Sequence, residues 1–260
     1  MASATGIPSR SPNGLGADGP AQTRETEPLL GRPGDAAQHE GAAYWTNLTL
    51  GTAVLAQFGA FLLVGIVWAS VFTSPLILFS GHPLAQSLAV FVFVQSVLFL
   101  QPTHTAAQKR AGQRVHASLN LVALVLLIFG VVIVEYNKVA GRNPHFHSVH
   151  AYFGVVTSIL LILQYLVGFT MWATPALYGG EARARKLWRW HRLFAYVVVL
   201  PLLLVTVFFT VDTSYNQGVL KMKWWGLLIA LVLVVVGIYP RIPLHKIRGQ
   251  KQNGVLSSTE

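Results

Sequence analysis

The sequence predicts an all-α polytopic membrane protein with six transmembrane helices, four of which form a central bundle. Only 11% of the 260 residues are charged and 53% are hydrophobic, whereas a soluble domain usually carries about 25% charged residues. Residues 41–108 form a run of 68 positions without Asp, Glu, Lys or Arg, and about 20 apolar residues suffice for one helical crossing. The apolar blocks are continuous and longer than the strands of a membrane β-barrel, so helices are expected.

The six spans are expected at residues 45–72, 82–101, 113–135, 148–173, 189–211 and 222–240. Each block is long enough to cross a bilayer as a helix. Residues that interrupt helices occur in the breaks between the blocks, namely Pro75, Pro102, Pro144, Pro175 and Gly218. The breaks therefore support six separate helices.

Residues 1–43 are rich in Gly, Pro, Ala and polar side chains, a composition that cannot bury a core. The segment contains no apolar stretch typical of a cleaved signal peptide. We therefore expect a disordered cytoplasmic tail at residues 1–43, a membrane domain at residues 44–241 and a second cytoplasmic tail at residues 242–260.

The basic residues indicate the orientation of the chain. Eleven lysines and arginines follow the second, fourth and sixth spans, and only four occupy the remaining connections. By the positive-inside rule, the connections with eleven basic residues and both termini face the cytoplasm. We call this side the inner side and the opposite side the outer side. The net charge of +10 is thereby explained by membrane orientation, and no nucleic-acid partner is expected.

Four histidines occupy corresponding positions in consecutive spans. His82 opens the second span, His116 the third, His150 the fourth and His191 the fifth. Because consecutive helices run in opposite directions, His82 and His150 are expected near the outer side, and His116 and His191 near the inner side. The spacing predicts a four-helix core with two histidine pairs at different depths.

The residue types restrict the chemistry of these pairs. The chain has no cysteine, which excludes disulfides, iron–sulfur clusters, thiolate ligands and covalent c-type haem. Two facing imidazoles without nearby carboxylates suit the axial positions of haem iron better than tetrahedral zinc. With both axial positions filled, such a centre transfers electrons rather than activating a substrate at the metal.

Two alternatives remain open for the histidines. They are interfacial polar residues without a ligand, or they bind or relay metal ions or protons in a haem-free transporter or scaffold. Carboxylates inside the spans would favour the transporter, because buried ionisable groups mark ion pathways. The uncharged blocks contain none, and Glu135 and Asp212 lie only at span ends.

Two segments resemble a known family. FSGHPLAQSL at residues 79–88 and FHSVHAYFG at residues 146–154, together with histidines at the start of four consecutive spans, resemble the cytochrome b561 family of transmembrane electron carriers. The resemblance covers residues 50–240. It implies two non-covalent haem b groups, one held by His82 and His150 and the other by His116 and His191.

The resemblance also implies a binding site for the electron donor. In ascorbate-dependent members, basic residues two and six positions before the inner histidine of the third span help to bind the donor. These positions are Arg114 and Arg110 here, and Arg185 lies six positions before His191. A cationic surface beside the inner centre would attract an anionic reductant. The alternative is that these arginines only set the orientation or contact haem carboxylates and lipid headgroups.

Two further patterns concern the acceptor and the membrane. His145 and His147 lie close to His150 in the outer loop, and His147 is a candidate contact for the acceptor, ferric iron or a ferric chelate; the alternative is exposed loop histidines. In the tail, Glu25 precedes Leu29-Leu30 at the spacing of an acidic dileucine sorting signal. This pattern favours an endosomal, vacuolar or lysosomal membrane over the plasma membrane.

The sequence therefore predicts an oxidoreductase of the ascorbate-dependent ferric reductase type. It would transfer electrons from a cytosolic reductant such as ascorbate to ferric iron or monodehydroascorbate on the outer or lumenal side, with no catalytic residue beyond the haem ligands. A quinol- or flavoprotein-fed cytochrome is the alternative, and a cavity opening to lipid would favour it. The sequence leaves open whether the chain forms a homodimer.

Overall fold

The computed structural model describes residues 36–242. Within this range the chain is helical without β-strands, and six segments are long and apolar enough to cross a membrane. This confirms the predicted all-α architecture with six spans. Most of the tail expected at residues 1–43, the dileucine pattern, and the tail expected at residues 242–260 beyond Ile242 lie outside the described residues.

The helices are α1 Ala53–Phe72, α2 Gly81–Leu100, α3 Ala106–Ala140, α4 Val149–Ala173, α5 Glu181–Phe194, α6 Leu200–Phe208 and α7 Trp224–Ile238. α5 and α6 are joined by a π-helical turn and form one continuous span. α2 packs along α3, and α4 packs against α5 and α6, so that these segments form a central bundle. α1 and α7 pack on each other and cover one side of it.

The first span begins later than expected. Tyr44–Leu48 forms a separate 3-10 helix, and α1 starts at Ala53. Asn47 is fully buried, and its Nδ2 donates to Gln38 Oε1 and to Phe99 O, each at 3.0 Å. These hydrogen bonds hold the segment that precedes α1 against the end of α2.

The third and fifth spans begin earlier than expected, at Ala106 and Glu181 rather than at residues 113 and 189. Lys, Arg, Gln and Ala are good helix formers, so each helix continues beyond its apolar block. Thr105 and Gln108 form a capping box at the start of α3, with both hydrogen bonds at 3.2 Å. His116 and His191 therefore lie well inside their helices rather than at the start. His82 and His150 are the second residues of α2 and α4, close to their expected positions.

The π-helical turn Ala195–Val199 precedes Pro201. Proline has no backbone N–H, and its ring collides with the carbonyl four residues earlier, which belongs to Val197. A π-helical turn adds one residue to the helix locally. The Tyr239 hydroxyl donates to Tyr196 O at 2.7 Å and so satisfies one carbonyl in the turn.

Gly237 lets α1 and α7 approach closely. A Cβ at Gly237 would overlap the main-chain nitrogen of Ala56 and lie 2.7 Å from its Cα. Because backbone atoms cannot move aside, Gly237→Ala is expected to destabilise the fold by about 1–3 kcal/mol, the usual cost of overpacking. Thermal unfolding in detergent measures this. Gly65→Ala in α1, where a Cβ meets nothing within 4 Å, is the control, and equal melting temperatures for the two variants would contradict the prediction.

Candidate functional site

α2 and α3 hold two of the histidines in antiparallel register. His82 Nδ1 lies 3.0 Å from Gly130 O, and His116 Nδ1 lies 2.8 Å from Ser96 Oγ. His82 and Ser96 are fourteen positions apart on α2, as are His116 and Gly130 on α3, which corresponds to about four turns or about 21 Å. The two helices therefore hold one histidine at each of two levels.

α4 and the α5–α6 span repeat this arrangement with one difference. His150 Nδ1 lies 2.8 Å from Thr206 O, and Gln164 Nε2 donates to His191 O at 2.8 Å. His150 and Gln164 are fourteen positions apart, but His191 and Thr206 are fifteen apart. The π-helical turn between His191 and Thr206 accommodates the additional residue. The histidines of this pair of helices thus also lie at two levels.

The outer histidines face each other across the bundle. The ring centroids of His82 and His150 are 6.1 Å apart, and the ring planes form an angle of 86°. A metal–imidazole bond is about 2 Å long, and the bonding nitrogen lies about 1 Å from the centre of its ring. Two imidazoles that bind one metal from opposite sides therefore have ring centroids about 6 Å apart. The observed separation fits that arrangement. Phe79 stacks on His82 with centroids 5.6 Å apart.

The inner histidines are also neighbours. His116 lies within electrostatic range of His191. A Cβ at Gly168 of α4 would lie 2.8 Å from His191 Cε1, so only glycine leaves room for the ring in this position. His191 and Gln164 are the polar members of the wall of an otherwise apolar cavity of about 600 Å³, a size typical of cofactor sites.

The hydrogen bonds define which nitrogen of each ring is available. A carbonyl oxygen only accepts, so Nδ1 of His82 and of His150 carries the proton and Nε2 carries the lone pair. His116 Nδ1 also lies 3.2 Å from Ser96 O, which implies the same tautomer. His191 Nδ1 is buried without a hydrogen-bond partner among residues 36–242. Oriented imidazoles with a free Nε2 are typical of metal ligands, so His82, His116 and His150 fit the role of haem-iron ligands.

Asn120 and Ser96 form a polar group around His116 that the sequence analysis missed. Asn120 Nδ2 donates to Ser96 Oγ and to His116 O, both at 2.7 Å, and Ser96 is fully buried. The signal was available: Asn120 lies one turn after His116, and Ser96 lies about four turns after His82 on the same face of α2.

If each histidine pair holds a haem, Ser96→Ala is expected to change the reduction potential of the haem at His116 and to leave that of the other haem unchanged. An acceptor at Nδ1 raises the basicity of a ligating imidazole and thereby stabilises the oxidised iron. Loss of the Ser96 hydroxyl should raise the midpoint potential of the inner centre in a spectroelectrochemical titration. Ser87→Ala is the control, because the Ser87 hydroxyl accepts from Trp68 Nε1 at 3.2 Å and touches no histidine; equal shifts in both variants would contradict the assignment.

The arginines predicted to bind the donor lie on two helices. Arg110 and Arg114 are exposed on α3, before His116. Arg185 is exposed on α5, where NH2 lies 2.7 Å from Glu181 Oε2, so its charge is partly neutralised. Lys109 is also exposed and lies two turns before His116 on the same face of α3; the sequence analysis counted it only among the basic residues that set the orientation.

The outer loop combines a histidine with a cation. Lys138 Nζ donates to Pro144 O at 2.7 Å and lies 3.2 Å from His147 Nδ1. His145 Nε2 lies 3.1 Å from Glu135 Oε2. His147 is exposed and lies in the loop three positions before His150. Among the described residues 36–242, no group of three or more His, Asp or Glu side chains could hold a metal ion.

The chain matches one known protein family and is similar to several known proteins. The profile of the family described as eukaryotic cytochrome b561 matches residues 75–217, a range that includes all four histidines. The chain is 36% identical over 107 residues to the plasma membrane ascorbate-dependent reductase CYBRD1 of Mus musculus, covering 38% of this chain and 36% of that protein.

Two human proteins are also similar. The transmembrane ascorbate-dependent reductase CYB561 is 28% identical over 149 residues, which is 56% of each chain. The lysosomal membrane ascorbate-dependent ferrireductase CYB561A3 is 29% identical over 100 residues, 38% of this chain and 41% of that protein. The matched segments span between 36% and 56% of the length of these three relatives.

Proposed function

The chain belongs to the eukaryotic cytochrome b561 family, and on this premise we propose that it is a membrane oxidoreductase that carries electrons from a reductant on the inner side to an acceptor on the outer side. The observation that carries the proposal is the presence of two histidine pairs at two levels of one bundle. The levels are about 21 Å apart along the helices, a separation that gives each side of the membrane its own centre.

The histidine set supports two non-covalent haem b groups, with His82 and His150 as ligands of one and His116 and His191 as ligands of the other. When bound, each haem would supply a one-electron redox centre held by its pair of histidines. The chain itself orients the ligands: the acceptors at Nδ1 fix the tautomer and direction of three rings.

Ascorbate is the proposed donor, as in the names of the relatives. Ascorbate is a small anion that loses one electron and one proton to become monodehydroascorbate. The exposed Arg110 and Arg114 lie near the start of α3, and together with Arg185 they give the inner side a positive potential. Such a potential raises the local concentration of an anion and its rate of association.

Replacing both Arg110 and Arg114 with Gln is expected to raise the KM for ascorbate about tenfold, the lower end of electrostatic steering effects. The rate of the unaltered protein should fall as ionic strength rises, and the rate of the double variant should depend less on salt. Stopped-flow reduction by ascorbate at several salt concentrations measures both effects. Lys221→Gln with Lys223→Gln removes the same charge from the opposite side, and an equal rise in KM there would refute the donor assignment.

Ferric iron or monodehydroascorbate is the proposed acceptor on the outer side. His147 is exposed in the loop three positions before His150, which supports a contact with the acceptor near the outer pair. The similar proteins include a lysosomal membrane ferrireductase and a plasma membrane reductase. Together with the dileucine pattern at Leu29-Leu30, the first of these supports an endosomal, vacuolar or lysosomal membrane. The distribution of basic residues supports both termini in the cytoplasm.

A quinol is the second candidate donor, and the cavity beside His191 favours it. Three residues of the cavity wall, Leu163, Trp190 and Val197, are 51%, 56% and 62% exposed, so the cavity opens toward lipid. An apolar ring could enter it from the membrane. Reduction of the purified protein by a short-chain quinol faster than by ascorbate would select this donor.

The proposal is tested in proteoliposomes that contain a trapped ferric chelate and receive ascorbate outside. A reduced-minus-oxidised spectrum first counts the haem per chain, and two are expected. Ascorbate should then reduce the trapped chelate only in vesicles with the protein. A colourless protein from haem-replete cells would refute the cytochrome proposal and would favour the haem-free transporter instead.

A further inference from the structure

Phe79 and Tyr215 form a row of aromatic contacts beside the outer histidine His82. The Phe79 ring stacks on the His82 imidazole, with the ring planes inclined by 25°. The rings of Phe79 and Tyr215 meet edge to face, with centroids 4.8 Å apart and an angle of 78° between their planes. Stacked and edge-to-face contacts are favourable geometries for aromatic rings. The three rings therefore connect His82 to the loop between α6 and α7.

Hydrogen bonds hold the Tyr215 end of this row in place. The Tyr215 hydroxyl lies 3.1 Å from Ser80 Oγ, which also accepts from Ile77 N at 3.2 Å. Ser80 is buried, as is Asn216, the residue after Tyr215. Asn216 Oδ1 accepts from Met222 N at 3.0 Å, and its Nδ2 donates to Met222 O at 3.3 Å. The loop that carries Tyr215 is thus bonded within itself and to the segment that opens α2.

The His82 imidazole is held from two directions. Nδ1 lies 3.0 Å from Gly130 O, and this contact fixes the direction of one ring nitrogen. A single hydrogen bond still allows the ring to tilt about that direction, whereas a second ring packed on its face restricts the tilt. Functional side chains keep their geometry when packing and hydrogen bonds act together. Phe79 supplies the packing for His82.

We propose that Phe79, held by Tyr215, positions the His82 imidazole and so sets the angle between the rings of the outer histidine pair. Both residues act through His82 and are positioning residues. The inference rests on the proposed function, because the angle matters once the pair holds a haem. The sequence analysis included Phe79 only in the segment at residues 79–88 and gave Tyr215 no role.

The angle between the two outer rings gives the expected effect a direction. The ring planes of His82 and His150 are 86° apart, which is close to perpendicular, so a tilt of either ring brings the planes nearer to parallel. The orientation of the ligands tunes the electronic state of a metal. In low-spin ferric haem, the largest g value in the electron paramagnetic resonance spectrum is highest when the two axial imidazoles are perpendicular. Release of His82 should therefore lower this g value for one haem.

The experiment records this spectrum for the oxidised full-length protein with its haem, in Phe79→Leu, Tyr215→Leu and the double variant. The signal of the outer pair is identified by its loss in His150→Ala. Phe79→Leu should lower its largest g value, leave the second signal unchanged and retain two haems per chain. Tyr215→Leu should shift the same signal by a smaller amount, and the double variant should shift it no further than Phe79→Leu, because both residues act through one contact. Phe79→Tyr keeps the ring and should restore the original spectrum.

Phe91→Leu is the matched control, because it removes an aromatic ring from the same helix, α2. The Phe91 ring meets Phe61 of α1 edge to face, with centroids 4.9 Å apart. The proposal is overturned if Phe79→Leu leaves the outer signal unchanged, or if Phe91→Leu lowers its g value equally.

A measurement on haem-depleted protein separates this proposal from the proposed function. Diethyl pyrocarbonate modifies accessible imidazole nitrogens, and mass spectrometry gives the rate at each histidine. Phe79→Leu should raise the rate at His82 severalfold and leave the rate at His116 unchanged. A chain that binds no haem would refute the proposed function, and this rate would still show whether Phe79 holds His82. Equal rates at His82 in Phe79→Leu and Phe91→Leu would overturn the positioning role.

Discussion

Replacing His116 or His191 with alanine is expected to lower the haem content of the purified protein from two per chain to about one, because haem b is held only by its axial ligands and the surrounding packing. The outer pair should keep its haem, since it lies about 21 Å away along the helices. His82→Ala or His150→Ala should remove the other haem in the same way. Transmembrane electron transfer should cease in all four variants, because each lacks one of the two centres.

The two pairs of variants are expected to differ in whether ascorbate reduces the remaining haem. In His82→Ala and His150→Ala, the remaining haem should still be reduced by ascorbate from the inner side; in His116→Ala and His191→Ala, it should not. His39→Ala is the control, because His39 is an exposed histidine before α1. The assignment is wrong if any of the four variants retains both haems, or if the variants of one pair lose different haems.

The spans and the positions of the four histidines could be predicted because both depend on side-chain type, which the sequence gives directly. Uncharged blocks long enough for a membrane helix give the spans, and the alternating direction of the helices gives the pairs. The predicted start of the third span was too late by several residues, because the apolar block begins at Val115 whereas α3 begins at Ala106. Hydropathy marks where the membrane begins, and a helix capped by Thr105 can begin before it.

The partners of the histidines could not be predicted, because they depend on the register between helices. Gly130 and Thr206 each offer a backbone carbonyl to a histidine, and a carbonyl gives no signal in a sequence. The fifteen-residue spacing from His191 to Thr206 indicates an additional residue only when it is compared with the fourteen-residue spacing on α4. Pro201 indicates from the sequence that the helix is irregular, but it does not indicate how many residues the turn adds.

The burial of Arg241 was equally hidden. The sequence places it beside Lys246 and Arg248 after the sixth span, where positive charges usually set the orientation. Its side chain is instead enclosed by Asn47 and Leu98, which come from the segment before α1 and the end of α2. Only the tertiary contacts distinguish this arginine from exposed arginines such as Arg110 and Arg183.

Gly168→Ala is expected to remove the inner haem selectively while leaving the fold intact. The new methyl group would lie 2.8 Å from His191 Cε1 and 3.3 Å from Nε2, so the imidazole must leave the position in which its free nitrogen faces the inner site. Overpacking of this kind costs about 1–3 kcal/mol, which corresponds to about 5- to 150-fold weaker binding. The spectrum should show about one haem per chain, as in the His191→Ala variant.

The control for Gly168→Ala is Gly65→Ala, which adds the same methyl group to a membrane helix where nothing lies within 4 Å. Both variants should unfold at similar temperatures, since the methyl group at Gly168 meets a side chain rather than backbone and the ring can rotate away. Haem content then separates them, because only Gly168→Ala displaces a ligand. Two haems with unchanged midpoint potentials in Gly168→Ala would show that His191 binds iron in a different ring position or that it is not a ligand. Loss of both haems would instead indicate a general collapse of the bundle, and the selective role of Gly168 would be refuted.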